Sequence, residues 1–186
     1  MACPYTRPCP RTRHGVPVRH DLFWSSRKIG GIINNLMSEL EGLYQEVILD
    51  HSRRPRNCHF MSDADRHADG YNPLCGDRFT VYLKLKDNKI ADISFQGTGC
   101  AISTASASIL TEILKGKTRA QADALFQTFH DLVTGKTHAT GEAPALGKLA
   151  AFSGVCEFPV RVKCATLVWH TLRSALNGDK KMTSTE

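Results

Sequence analysis

The sequence predicts an α+β fold, a small antiparallel β-sheet with helices packed on one face, and three observations carry that expectation. Residues 79–95 alternate apolar and polar side chains around a polar turn, as a half-buried hairpin does. The segments between Cys100 and Asn177 repeat their apolar residues at helical spacing instead. A length of 186 residues without internal repeats suits one domain plus a tail rather than two full domains.

The elements follow in order. Ser38 and Glu41 have capping-box spacing, and Leu40, Leu43, Tyr44, Val47 and Ile48 share one helical face, with Pro55 as the far limit. A polar stretch containing His51, Cys58, His59 and His67 ends in Gly70, Tyr71, Asn72 and Pro73, and reads as loop and turn. Phe79, Val81, Leu83 and Leu85 then form a strand, Asp87, Asn88 and Lys89 a turn, and Ile93 and Phe95 the returning strand. Gly97 and Gly99 end it. A helix follows from Cys100 through Ile102, Ser106, Ile109, Leu110, Ile113 and Leu114 to Gly116. Thr118 caps another, with Leu125, Phe126, Phe129, Leu132 and Val133 as its core face. A loop over 136–143 and a short helix near Pro144 to Phe152 lead to a last helix from about Val162 to Asn177, which buries Leu167, Val168, Leu172 and Leu176 and stops at Gly178.

The net charge of +6 is unevenly placed. Residues 1–36 hold Arg7, Arg11, Arg13, Arg19, Arg27 and Lys28 against Asp21 alone, so the body is nearly neutral and lacks the cationic face of a nucleic-acid binder. Four prolines in the first 17 residues, and no periodicity, predict a disordered basic extension over 1–36, with no ligand role for Cys3 or Cys9. The same prolines would break the amphipathic helix of a transit peptide, and translation is expected to start at Met37. The domain is expected over 37–179, with a disordered tail at 180–186. Apolar runs are too short and interrupted to span a membrane. Seven cysteines, an odd number, without a secretory leader point to a reducing cytoplasmic setting.

Chemistry concentrates at three cysteines. Cys75 stands in Leu-Cys-Gly-Asp, where Gly76 permits a tight turn and Asp77 follows the thiol closely. Cys100 and Cys164 are each read at a helix start, where unpaired N–H groups and the helix dipole favour thiolate. Three thiolates and a carboxylate suit four-coordinate zinc. Spacing alone, without a Cys-x2-Cys pair, leaves metal ligands and buried structural cysteines as equal readings.

The segments LYQEVILDHSRRPRN, NPLCGD, GTGCAISTASASILTEILKGK and FPVRVKCATLVW resemble the iron–sulphur cluster assembly family of the NifU N-terminal domain and IscU, most closely its SufU branch, over residues 40–178. Two features select the branch. Lys163 stands where the IscU branch has a histidine able to bind metal, and a protonated lysine has no lone pair to donate. Cys100 and Cys164 lie 64 positions apart, which resembles SufU with its extra helical segment, here within Thr118 to Val133. The chaperone motif Leu-Pro-Pro-Val-Lys of the IscU branch is replaced by FPVRV at 158–162.

The resemblance implies that Cys75, Asp77, Cys100 and Cys164 bind Zn²⁺, and that the chain receives sulphur from a SufS-type cysteine desulphurase as an accessory protein that serves downstream iron–sulphur assembly proteins; Cys75 is read as the acceptor because its glycine turn is flexible, and Asp77 as the loosest, most easily exchanged ligand. Such a site carries a net charge of minus two, so Arg78, Arg161 and Lys163 are candidate compensating cations, Arg161 first. Cys58 and Cys156 are expected to be spectators, His51, His59 and His67 to lie in a solvated loop, and His170 to sit within the last helix. Three functions remain open: zinc-dependent sulphur transfer, a scaffold for a transient [2Fe-2S] cluster on the same ligands, or a structural zinc module. Deleting residues 1–36 is expected to leave folding and zinc binding unchanged; a loss of several degrees in unfolding midpoint, about 1 kcal/mol for a domain of this size, would show instead that the leader packs on the body.

Overall fold

The computed structural model describes residues 42–137, 146–179 and 182–185. A helix, α1, covers 42–53. Three strands follow, β1 (Arg66–Asn72), β2 (Asp77–Lys86) and β3 (Lys89–Thr98), then helices α2 (Ala101–Leu114) and α3 (Arg119–Val133). A 3-10 segment (Gly147–Glu157), the long helix α4 (Pro159–Asn177) and a two-residue strand β4 (Thr183–Ser184) complete the chain. The sheet order is β3-β2-β1-β4. β2 pairs antiparallel with β3, the expected hairpin, and antiparallel with β1 on its other side, but β4 lies parallel to β1, so the sheet is mixed. The α+β architecture stands, with a correction at the tail: Thr183 and Ser184, expected to be without structure, pair with Gly70 and Tyr71. Among the described residues no helix is long and apolar enough to cross a membrane.

The hairpin forms for the reason the alternation suggests. Phe79, Val81 and Leu83 of β2 and Ile93 and Phe95 of β3 are buried, and Asp87 and Asn88 both adopt positive φ (51° and 59°), the backbone that a two-residue hairpin turn needs. β1 is the strand that the sequence reading took for a loop. Its inward residues are Ala68, Gly70 and Asn72, so the period of two is present without apolar bulk to reveal it. The reason is close approach: a Cβ on Gly70 would lie 2.0 Å from Thr171 Oγ1 and 3.2 Å from Leu167 Cδ1, both on α4.

The helices bury small and polar residues for the same reason. Ser106 of α2 donates to the Ala165 carbonyl at 2.7 Å and accepts from Trp169 Nε1 at 3.2 Å, so α2 and α4 meet through hydroxyls that are themselves satisfied. Trp169, fully buried, stacks on Phe129 at 4.9 Å and Phe126 at 5.9 Å, which fastens α3 to α4. Phe152 of the 3-10 segment meets Phe129 edge-on. Thr118 caps α3 and Gly178 closes α4, as read from sequence; the structure adds that Thr118 forms a capping box with Gln121 and that Gly178 is left-handed. Two boundaries differ. α4 starts at Pro159 rather than Val162, because a proline in the first turn lacks only an N–H that the helix leaves unpaired there. The short helix expected from Pro144 to Phe152 is a 3-10 segment running on to Glu157; Pro144 and the Ser38 capping box lie outside the described residues.

Gly70→Ala is expected to destabilise the protein by about 2 kcal/mol through overpacking against α4. In a double-mutant cycle by chemical denaturation, adding Thr171→Ala recovers more than half of that loss. A neutral Gly70→Ala would show that the two elements have room to part.

Candidate metal centre

Asn72 ends β1 and Asp77 begins β2, and the two are paired across the ladder. The four residues between them form a tight loop. Gly76, at φ 70°, donates its N–H to the Asn72 carbonyl at 2.9 Å, and the Leu74 N–H donates to Asn72 Oδ1 at 3.2 Å. The loop lifts Cys75 into solvent while β2 turns the next inward side chain, Asp77, fully into the protein. Cys100 is the N-cap of α2: its sulphur accepts from the Ser103 N–H at 3.5 Å and the Ser103 hydroxyl at 3.4 Å. Its own N–H donates to Asp77 Oδ1 at 2.8 Å, tying the start of α2 to the start of β2. Cys164 is buried on α4.

These four side chains, separated by up to 89 positions in sequence, are brought to one corner of the fold. The Cys75 and Cys164 sulphurs are 3.1 Å apart, and with an Asp77 oxygen they form a group within 4.8 Å of one another. Cys100 Sγ stands at the edge of this trio, 4.0 Å from Asp77 Oδ2. The contacts set the thiols apart electrically. The Cys164 thiol and the Ser103 donors hold Cys100 down to about 6, against burial and the Asp77 charge. Cys164 is pushed far up, chiefly because it keeps its proton as a donor to the Cys100 sulphur, with burial adding to the shift. A Cys100 thiolate therefore forms readily, and ionising Cys164 beside it calls for a cation. Three sulphurs and a carboxylate oxygen are a donor set that fits Zn²⁺.

Other placements depart from the sequence reading. Cys164 lies in the second turn of α4, not at its start, so no unpaired N–H faces it; the early start at Pro159 accounts for the difference. Asp77 is anchored rather than loose, with one oxygen held by a backbone amide. Arg78 points away from Asp77 across the sheet, as strand alternation requires, and its guanidinium lies 4.7 Å from the centre of the Tyr71 ring. Arg161 is exposed, 4.2 Å over the Phe158 ring, and Lys163 is half-buried. None of these three cations makes a salt bridge among the described residues. The donors that do reach the centre are neutral: the Cys100 N–H, Ser103, and Asn72, whose Nδ2 lies 3.4 Å from Asp77 Oδ2 and 3.3 Å from Cys164 Sγ. Asn72 and Ser103 escaped the sequence reading. Asn72 stood inside NPLCGD, but the pattern of alternating burial that would mark it as inward-facing is hidden by its small neighbours.

The histidines are elsewhere. His51 is not in a solvated loop: it is buried on α1, with Nδ1 2.8 Å from the Ser108 hydroxyl. His67 is exposed on β1, and His170 packs edge-on to Phe126 within α4. Cys58 bridges to Phe95 at the sheet edge and Cys156 lies in the 3-10 segment, each outside the cluster.

Several known proteins share this arrangement in sequence and shape. The iron–sulphur cluster assembly scaffold protein IscU of Streptococcus pyogenes serotype M1 is 41% identical over 143 residues, covering 75% of this chain and 86% of its own. The zinc-dependent sulphurtransferase SufU of Bacillus subtilis is 40% identical over 139 residues, covering 75% of this chain and 92% of its own. A candidate scaffold of SUF-system iron–sulphur assembly from Fervidobacterium islandicum AW-1 superposes with a TM-score of 0.66 at 36% identity, over 70% of this chain and 94% of its own. The family model of the NifU-like N terminal domain matches residues 43–165, and with relatives this similar across three quarters of its length the chain belongs to that family of iron–sulphur cluster assembly proteins.

Proposed function

We propose that this chain is the zinc-holding sulphur acceptor of an iron–sulphur assembly system, taking persulphide sulphur from a SufS-type cysteine desulphurase onto Cys75 and thereby stimulating that enzyme. One observation carries the reading: a solvent-exposed thiol, Cys75, sits 3.1 Å from a buried one, Cys164, beside a buried carboxylate and a third thiol. Cys75, Asp77, Cys100 and Cys164 would hold the zinc. Bound there, the ion supplies a positive charge that keeps the thiols deprotonated and shielded until transfer.

The residues then divide the work. Cys75 meets the donor, because it alone of the three is exposed and rides on a loop with the exposed Leu74 beside it. Its thiolate attacks the outer sulphur of the donor persulphide; a new S–S bond forms at Cys75, the donor's own S–S bond breaks, and the donor cysteine leaves as a thiolate and takes up a proton. The sulphane sulphur changes hands with no external oxidant or reductant. Asp77 is the weakest donor chemically, yet its bond from the Cys100 N–H keeps it in position, so Cys75 can move without the site collapsing. Arg161 and Lys163, at the same end of α4 as Cys164, would face the charge of the loaded site from its rim. The name of the Bacillus relative supports zinc-dependent sulphur transfer, and that of the Streptococcus relative supports a scaffold for iron–sulphur cluster assembly.

Native mass spectrometry is expected to find one zinc per chain, and Cys75→Ala, Cys100→Ala and Cys164→Ala each to lose stoichiometric binding; retention of full zinc by all three would place the metal elsewhere. In a coupled assay with a SufS-type desulphurase, Cys75→Ala is expected to abolish stimulation of sulphide release while Cys58→Ala and Cys156→Ala preserve it. A folded Cys75→Ala that still stimulates like the wild type turns the assignment to the scaffold function.

A further inference from the structure

We infer that Asn72 is a positioning residue of the metal centre, whose carboxamide orients Asp77 and donates to the Cys164 sulphur and so sets how tightly the site holds its metal. The inference rests on the zinc-site reading above. Asn72 is 0% exposed and places every polar group of its side chain on the site or its loop. Oδ1 accepts from the Leu74 N–H at 3.2 Å, while Nδ2 lies 3.4 Å from Asp77 Oδ2 and 3.3 Å from Cys164 Sγ. The amide orientation follows from the network, since the Leu74 N–H requires an acceptor and the carboxylate requires a donor.

The oxygen half of this side chain is all that the loop uses. Asp or Ser at position 72 would supply the same acceptor to Leu74, as both commonly do in such turns. The nitrogen half has no part in the loop and is spent on two candidate ligands. Toward Cys164, an N–H donor offsets part of the charge of a metal-bound thiolate, in a centre that no cation contacts among the described residues. Toward Asp77, it holds Oδ2 while the Cys100 N–H holds Oδ1, so the carboxylate keeps its aim whether or not it is ligating. Asn thus combines a loop acceptor with a ligand-directed donor. Asp keeps the first and reverses the second.

The test uses Zn²⁺ and Co²⁺ as probes on the full chain, comparing wild type with Asn72→Asp, Asn72→Ser and a control on β3, Ser94→Ala, whose buried hydroxyl has no partner among the described residues. Expected are a 10- to 100-fold (order of magnitude) loss of Zn²⁺ affinity in chelator competition for both Asn72 variants, and a shifted sulphur-to-cobalt charge-transfer band in their Co²⁺ forms. Ser94→Ala should change neither. In the wild type, the Asn72 carboxamide resonances should move on zinc addition, a measurement independent of whether either variant folds. Wild-type affinity and an unshifted band in folded Asn72 variants, or carboxamide resonances indifferent to zinc, would overturn the inference while leaving the zinc site standing. A wild type that binds neither ion overturns both.

Discussion

The site depends on a carboxylate taken wholly out of water. Asp77 is fully buried, and a buried carboxylate is tolerated only where its lone pairs are met. One oxygen accepts from the Cys100 backbone N–H and the other faces Asn72 and the cysteine sulphurs. Satisfying that single group fixes the end of β1, the start of β2 and the first turn of α2 relative to one another. It also leaves one oxygen turned toward the thiols, which is what makes the junction a candidate ligand set and not merely a well-paired corner.

The fourth contributor, Cys164, arrives by a different constraint. Cys164, Leu167 and Thr171 share one face of α4, three and four residues apart, and that face lies along β1. Gly70 lets the helix come close enough for Thr171 to occupy the place a side chain would fill. Two residues further along β1, the strand ends at Asn72, and one and a half helical turns or more back along α4 the helix presents Cys164 to it. The distance between helix and strand is therefore set by a glycine contact remote from the chemistry. The hydroxyl-lined contact between α2 and α4, through Ser106, serves the same end on the other side, with small side chains permitting approach and hydroxyl bonds keeping it satisfied.

This division explains what could be read in the sequence. The hairpin, the helix cap at Thr118 and the glycine stop at Gly178 each depend on side chains whose local preference agrees with their place in the fold. β1 was hidden because its inward residues, Ala68, Gly70 and Asn72, were selected by proximity to α4, a tertiary requirement that erases the hydrophobic pattern a strand ordinarily carries. The start of α4 lies ahead of Val162 because Pro159 fits the first turn of a helix, where no N–H partner is needed. The ligand candidates were named through resemblance, whereas spacing left them ambiguous; the neutral donors around them were not visible at all. The charge of three thiolates and a carboxylate suggested arginine and lysine partners, but the contacts formed are those of an amide, a hydroxyl and backbone N–H groups, which neutralise charge without bringing a desolvated cation indoors.

The three cysteines differ most in their access to water, and on the proposed function that difference gives the site its direction. Cys75 is exposed, Cys100 intermediate and Cys164 buried, although all three stand around the same Asp77 carboxylate. A donor persulphide approaching from solvent meets Cys75 first; Cys164 is shielded behind it, and Cys100 is engaged by Ser103 and Asp77. Thiol–disulphide chemistry is governed by access as much as by thiolate character. Cys100, the thiol held lowest, is thus suited to stay as a ligand, and the exposed thiol to react. Placing acceptor and anchors on an exposed loop, a helix cap and a helix interior respectively allows one thiol to react at the surface while the Asp77 junction and the α4 contact keep the other two where they were.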